Sequence, residues 1–149
     1  MNGVPVFISI SFRYNSFMNS IDKLAWIRIE NRKVLTTRSK GKDTYYVLGG
    51  KREPGESDHG ALIREIKEEV DVDLIPETIK SFGVYEAQAH GKPEGTMVRM
   101  TCYTADYKGI LKPSSEIEEV IWASYEIKKQ SSPVDKIILD ELKARDLID

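Results

Sequence analysis

Cysteine is almost missing from this chain of 149 residues: Cys102 stands alone. No disulfide framework can form, and a reducing, cytoplasmic compartment is the expectation. In "VRMTCYT", Val98, Met100 and Cys102 alternate with polar neighbours, which marks Cys102 as a buried strand residue. Histidine is equally scarce. His59 and His90 are the only two; both read as exposed loop residues, and no serine–histidine–aspartate order suggests itself. No apolar run approaches the roughly 18 residues that a membrane span requires. Neither sign of charge dominates. The formal net charge of −2 argues against a nucleic-acid polymer or an anionic membrane as a general partner. With 40% hydrophobic and 31% charged residues, the composition is globular, the length suits one domain, and no repeat or low-complexity segment appears.

The charge that is present is unevenly placed. Lys23, Arg28, Arg32, Lys33, Arg38, Lys40, Lys42, Lys51 and Arg52 crowd one stretch, opposed there only by Glu30 and Asp43, and the chain from Glu53 onward is acidic. A basic hairpin beside an acidic helix suits a polyanionic substrate held partly through a metal, although lysines also blunt ordinary strand edges. Residues 1–20 read as an N-terminal extension ahead of a domain spanning 21–149. "VFISISF" alternates and is rich in β-formers, so it is an added strand or an oligomer contact, leaving room for a homodimer. Met18 opens a second plausible beginning. A short apolar run with no basic start and no small-residue cleavage pattern argues against a signal peptide.

The coarse elements follow from period and punctuation. "KLAWIRIENRKVLTTRS" reads as a hairpin from Leu24 to Glu30 and Val34 to Arg38, turning at Asn31–Arg32 without glycine. "TYYVL" is a short strand running into Gly49–Gly50. Ser57 is an N-cap candidate for a helix whose stripe is Leu62, Ile63, Ile66 and Val70. "IKSFGVYEAQA" and "TMVRMTCYTADY" look like strands joined by "HGKPEG", and "EEVIWAS" like another. "SSPVDKIILDELKARDLI" opens a last helix, with Ser132 as cap, Pro133 in the first position and Asp135 completing an S-x-x-D box. The order implies one α+β domain with helices covering a mixed sheet.

One stretch resists a purely structural reading. Glu65, Glu68 and Glu69 fall within little more than a helical turn, where like charges at such spacings repel. At 100° per residue they gather away from the apolar stripe, with Arg64 beside them. Burial of unpaired carboxylates would raise their pKa values. A hard divalent cation resolves the conflict, since Mg²⁺ prefers oxygen ligands shared between carboxylates and substrate phosphates. Glycines beside it let backbone approach closely and offer carbonyl oxygen.

The spacing resembles the 23-residue box of the Nudix hydrolase family. Gly50 is followed after five residues by Glu56 and after seven more by Arg64-Glu65-Ile66-Lys67-Glu68-Glu69-Val70-Asp71-Val72. One fixed position departs: Asp71 stands where the family has glycine, which puts the helix end in question and leaves the metal set untouched. The resemblance covers roughly Ile21 to Asp149 and implies an α/β/α sandwich with a mixed sheet. It implies Glu68 and Glu69 as metal ligands, Glu65 as a further ligand or the base acting on water, and the Gly49 carbonyl as completing the inner shell. It further implies Arg64 and Glu56 as their support, Mg²⁺ with Mn²⁺ as substitute, and hydrolysis of a diphosphate bond in a nucleoside diphosphate linked to another group. Lys51 is the phosphate contact it suggests; Arg38 is a further candidate substrate contact, and Tyr45 offers a base a stacking partner, beside a core role. Asp135 offers a base an acceptor, beside a capping role.

Outside the box the clues thin. Tyr85 falls short of the spacing found in members acting on dinucleoside polyphosphates. Pro76 is too near and Pro93 too far for the ADP-ribose pattern, and "LTTRS" resembles only part of the coenzyme A pattern. A small MutT-like nucleotide pyrophosphohydrolase is the default. ADP-ribose or nucleotide-sugar hydrolysis is the first alternative. A non-catalytic nucleotide sensor is the second, and it usually shows eroded glutamates, whereas here all are present. Glu116, Glu118 and Glu119 each resemble a late loop glutamate that some members use at the metal.

Overall fold

The computed structural model describes residues 20–149; the N-terminal strand proposed in "VFISISF" lies outside them. Ten strands and two α-helices follow in the order β1 (Ser20–Trp26), β2 (Ile29–Glu30), β3 (Lys33–Ser39), β4 (Tyr45–Tyr46), β5 (Leu48–Lys51), α1 (Asp58–Val70), β6 (Asp73–Leu74), β7 (Lys80–Gln88), β8 (Met97–Thr104), β9 (Tyr107–Lys108), β10 (Ile117–Ala123) and α2 (Pro133–Ala144). One sheet runs β5-β1-β8-β7, with β1 parallel to β8 and the other pairs antiparallel. A second runs β10-β3-β2, with β4 also on β3. The architecture is the mixed-sheet α+β arrangement that the sequence order implies. Among the described residues no helix is long and apolar enough to cross a membrane.

Strand alternation builds two cores, one under each helix. Successive side chains point to opposite faces. Leu24 and Trp26 of β1 therefore pack with Leu62, Ile66 and Val70 of α1, while Ala25 and Ile27 pack with Val134, Ile138 and Leu142 of α2. Leu35 and Leu48 join the first core, Val34 and Val47 the second. Trp26 is fully buried and its indole N–H donates to the Ala105 carbonyl at 3.0 Å, so burial leaves no polar group unmet.

The expected long hairpin divides. Leu24–Glu30 is not one strand: it breaks at Ile27–Arg28, its first half pairing with β5 and β8 and its second, β2, with β3. Alternating apolar residues carry through the break, so periodicity alone did not reveal it. The turn does sit at Asn31–Arg32, both with positive φ (52° and 62°), a geometry that glycine usually supplies. Arg32 is fixed by its side chain, which donates to Asp149 Oδ1 at 2.6 Å, Asp146 Oδ1 at 2.7 Å and the Asp146 carbonyl at 2.9 Å.

Both helices begin as capped helices should. Ser57 Oγ accepts from Gly60 N at 3.0 Å, and Ser132 Oγ accepts from Asp135 N at 3.4 Å. His59, expected in a loop, lies exposed in the first turn of α1. The α1 helix ends on Asp71 in the left-handed region, φ 58°, its N–H on the Lys67 carbonyl. The Asp71 carboxylate stands 3.4 Å from Lys67 Nζ and 3.3 Å from Lys112 Nζ, and those partners hold it below the usual carboxylate range.

Asp135 does more than close a cap. One of its oxygens accepts from Ser132 Oγ; the other accepts from Val47 N at 3.0 Å, tying α2 to the link between β4 and β5, just ahead of the glycine bend. The carboxyl is 1% exposed and burial pushes it up to about 6, against the two hydrogen bonds and Lys23.

Two outcomes are expected. Asp71→Ala lowers Tm in thermal melts more than Asp71→Gly does, because alanine loses the ion pairs and also resists positive φ, whereas glycine loses only the pairs. For Asp135 the folded pKa lies above the unfolded value of about 3.9. The folded chain therefore binds its proton more tightly, and this group makes stability fall as pH rises from about 4 through 6. Asp135→Asn flattens that limb of the stability–pH curve. Asp135→Ala leaves Val47 N unmet and costs about 2 kcal/mol at all pH values.

Candidate active site

The site begins with two glycines that pack without side chains. A Cβ at Gly49, φ 152°, would stand 1.9 Å from the Leu24 carbonyl oxygen on β1. One at Gly50 would stand 2.3 Å from the Glu65 carboxyl. β5 thus lies flush between β1 and α1, and the carboxylates of α1 rest on bare backbone.

Arg64 organises the acidic side. Its Nε and Nη2 donate to both oxygens of Glu56, at 2.7 and 2.8 Å, and Nη2 also reaches the Lys51 carbonyl at 3.1 Å. Nη1 meets Glu65 at 3.0 Å and Glu68 at 3.4 Å. The fork geometry of guanidinium suits such paired contacts. Glu56 is held down to about 2 by Arg64, helped by the Glu53 N–H that donates to it at 2.8 Å. Arg64 therefore locks the loop after β5 to the helix.

Glu69 is the unusual member. It is 8% exposed; Gly49 N donates to one carboxylate oxygen at 3.1 Å, and among the described residues no protein donor meets the other. Burial pushes its carboxyl up to about 8, the charges of Glu65 and Glu116 add to that rise, and Gly49 N–H and Lys23 oppose it. Glu65 is also raised, by burial first, against the pull of Arg64.

These groups face a cleft of about 650 Å³. Asp43, Glu65, Glu69 and Glu116 contribute its acidic lining; Lys23, Lys42, Lys51 and Lys92 contribute a basic one. Glu116 is thus the late glutamate that meets the cleft. Lys51, the candidate phosphate contact, lines the cleft. Arg38 and Tyr45 do not line it: Tyr45 O–H donates to Glu119 Oε1 at 2.6 Å and Arg38 Nε to the same oxygen at 3.2 Å. The cause is register. Arg38 pairs with both Tyr45 and Glu119 across β3, β4 and β10, whereas their alternates Thr37, Ser39 and Tyr46 line the cleft. Glu68 turns outward, its side chain 55% exposed. Tyr46, His90 and Lys92 escaped the sequence reading; for Tyr46 the signal was the alternation of its own strand.

Among the described residues, no three His, Cys, Asp or Glu side chains are gathered closely enough to form a ready-made metal cage. Like charges without an ion between them stay apart, and Arg64 takes up Glu65 and Glu68. The donor set nevertheless fits a hard divalent cation. It is all oxygen, and it holds a buried carboxylate with one oxygen unmet by protein.

The NUDIX domain family model matches residues 23–142. No curated protein matches the chain. Among solved structures, the E. coli ORF135 protein is 25% identical, with 84% of this chain and 89% of that one covered and a TM-score of 0.67. The MutT NUDIX hydrolase from Burkholderia pseudomallei is 16% identical, covering 83% and 98%, TM-score 0.67. The E. coli dihydroneopterin triphosphate pyrophosphohydrolase is 17% identical, covering 80% and 92%, TM-score 0.65. The last two share the fold.

The raised Glu69 makes a prediction with a definite sign. Its folded pKa exceeds the unfolded one, so metal-free protein loses stability as pH rises from about 4.5 through 8. Glu69→Gln keeps the acceptor for Gly49 N and removes the buried charge. Metal-free Tm at pH 8 is expected to rise in the variant by several degrees. A variant that melts lower than the parent without metal refutes the assignment.

Proposed function

Because this chain belongs to the NUDIX family, we propose that it is a Mg²⁺-dependent hydrolase acting on a nucleoside diphosphate linked to a further group, a nucleoside triphosphate or modified nucleotide foremost. Cleavage of a phosphoric anhydride bond follows from the family. One observation supports the substrate class: a single cleft is lined both by Asp43, Glu65, Glu69 and Glu116 and by four lysines. Carboxylates for a cation and ammonium groups for phosphate oxygens in one cleft suit a polyphosphate. Single-sign walls would suit it less. A cytoplasmic setting goes with Cys102, whose thiol is buried and pushed up to about 12 by that burial.

Glu69 and Glu116, with the Gly49 carbonyl, are the groups that would hold the ion; Glu68, largely in water beside Arg64, would join them by a change of rotamer, and Glu65 is kept for the proton. Once bound, a divalent cation supplies Lewis acidity at a phosphoryl oxygen and lowers the pKa of water, and Mn²⁺ shares the oxygen preference. Lys51, Lys23 and Lys42 bind phosphate oxygens as point charges. Glu65 takes a proton from the attacking water; its raised pKa brings its basicity nearer neutral. The water oxygen forms a bond to phosphorus while the anhydride P–O bond breaks, its electron pair leaving with the bridging oxygen. Arg64 donates to Glu56, Glu65, Glu68 and the Lys51 carbonyl, so it acts as a positioning residue.

The test incubates pure protein and Mg²⁺ with nucleoside triphosphates, oxidised nucleotides, ADP-ribose, nucleotide sugars and dinucleoside polyphosphates, with products separated by chromatography. Release of a nucleoside monophosphate and pyrophosphate from a triphosphate is expected. Preference for ADP-ribose or a nucleotide sugar replaces the substrate class, and tight binding without any product turns the site into a sensor. Glu65→Gln is expected to lower kcat at least about 100-fold with Tm retained. Full turnover in that variant removes Glu65 from the mechanism.

A further inference from the structure

A single amide organises one rim of the cleft. β7 and β8 are joined by residues 89–96, and Gln88, the last residue of β7, turns its side chain into that loop. Its Nε2 hydrogens are shared among the carbonyls of Ala89 at 3.3 Å, Lys92 at 3.2 Å and Pro93 at 2.9 Å, and its Oε1 accepts from Gly95 N at 2.9 Å. Backbone bonds Ala89 N to the Thr96 carbonyl and Thr96 N to the Pro93 carbonyl close the loop around it. A loop of this length otherwise has few reasons to hold one shape.

What the clamp positions is chemically specific. His90 meets Tyr46 edge to face, ring centroids 6.4 Å apart, with Thr44 Oγ1 3.5 Å from its Nε2. Both rings line the cleft, and both also border a small side cavity of about 70 Å³ walled by Val98, Met100 and Val134. An aromatic pair above apolar walls, beside lysines, is suited to a flat polar ring. We propose that Gln88 is a positioning residue for substrate selection: by clamping the 89–96 loop it sets His90 against Tyr46, and these two rings receive the planar group carried beyond the pyrophosphate. The inference rests on the hydrolase reading above and names the part of the chain that reads the substrate.

Gln88 touches no reacting atom, so its loss falls on binding. In Gln88→Ala, KM for the preferred nucleotide rises about tenfold with kcat little changed, and discrimination between the best and worst nucleotides of the panel narrows. Gln88→Glu does not rescue, because a carboxylate can accept from Gly95 N but cannot donate to three carbonyls. His90→Ala raises KM in the parent protein and adds little in the Gln88→Ala background, since the two act as one unit. A kcat loss with KM and nucleotide preference unmoved overturns the proposal, as does full additivity in that cycle. Should Gln88→Ala melt too low to assay, His90→Ala, which leaves the Gln88 amide and its four backbone partners in place, carries the test: KM and nucleotide preference unmoved in it overturns the proposal. Parent protein inert on every nucleotide overturns the hydrolase reading and this one with it; parent turnover with Gln88→Ala unmoved overturns this one alone.

Discussion

Neither Gly49 nor Gly50 has room for a side chain, and the site depends on that closeness. The one presses its Cα side against the Leu24 carbonyl of β1, the other against the Glu65 carboxyl of α1. With β5 held flush between strand and helix, the Gly49 N–H reaches Glu69, and Lys51 lines the same cleft. Any residue with a Cβ at Gly50 would displace Glu65, so a local backbone requirement becomes a requirement of the chemistry. The apolar stripe of α1 supplies the force that keeps the helix down: Leu62, Ile66 and Val70 are fully buried against Leu24, Trp26 and Leu48.

Holding carboxylates together without an ion is costly, and the fold manages this in graded steps. Glu68 stays largely in water. Glu65 is drawn to Arg64, which is itself anchored by two bonds to Glu56. Glu69 alone is left buried with one donor, and its carboxyl responds by rising to about 8. A guanidinium at this place neutralises neighbours without closing the cleft, because most of its donors are turned to the loop after β5. The same arrangement leaves the buried oxygen of Glu69 as the group with most to gain from a cation.

Much of this was legible in the sequence, where a local rule had one solution. Ser57 and Ser132 cap their helices because serine before an apolar period has little else to do, and the spacing from Gly50 to Glu69 can serve loop and helix only together. The pairing partners were not legible. Arg38 and Tyr45 look like free cationic and aromatic contacts, but Glu119, some 80 residues on, meets both across the sheet. The break at Ile27–Arg28 was hidden for the same reason: apolar alternation continues through it while the partners change. Gln88 carries no motif at all. Its role arises from the loop it happens to end, and only three-dimensional geometry brings four backbone groups to its amide.

The choice among three late glutamates shows how such non-local terms decide function. Lys112 N donates to the Val70 carbonyl and Ser114 N to the Glu69 carbonyl, so the loop before β10 is docked on the end of α1 by its backbone. Those two bonds use carbonyls that every helix leaves unmet in its last turn. Asp71 lends its carboxylate to Lys112 on the same loop, which gives a residue in the left-handed region a compensating contact. From that anchor the chain reaches β10 with Glu116 in the cleft and Ile117 buried, and a register shift between Ile117 and Glu119 then sends Glu119 to Arg38. The end of one helix thus selects the residue that completes the acidic wall.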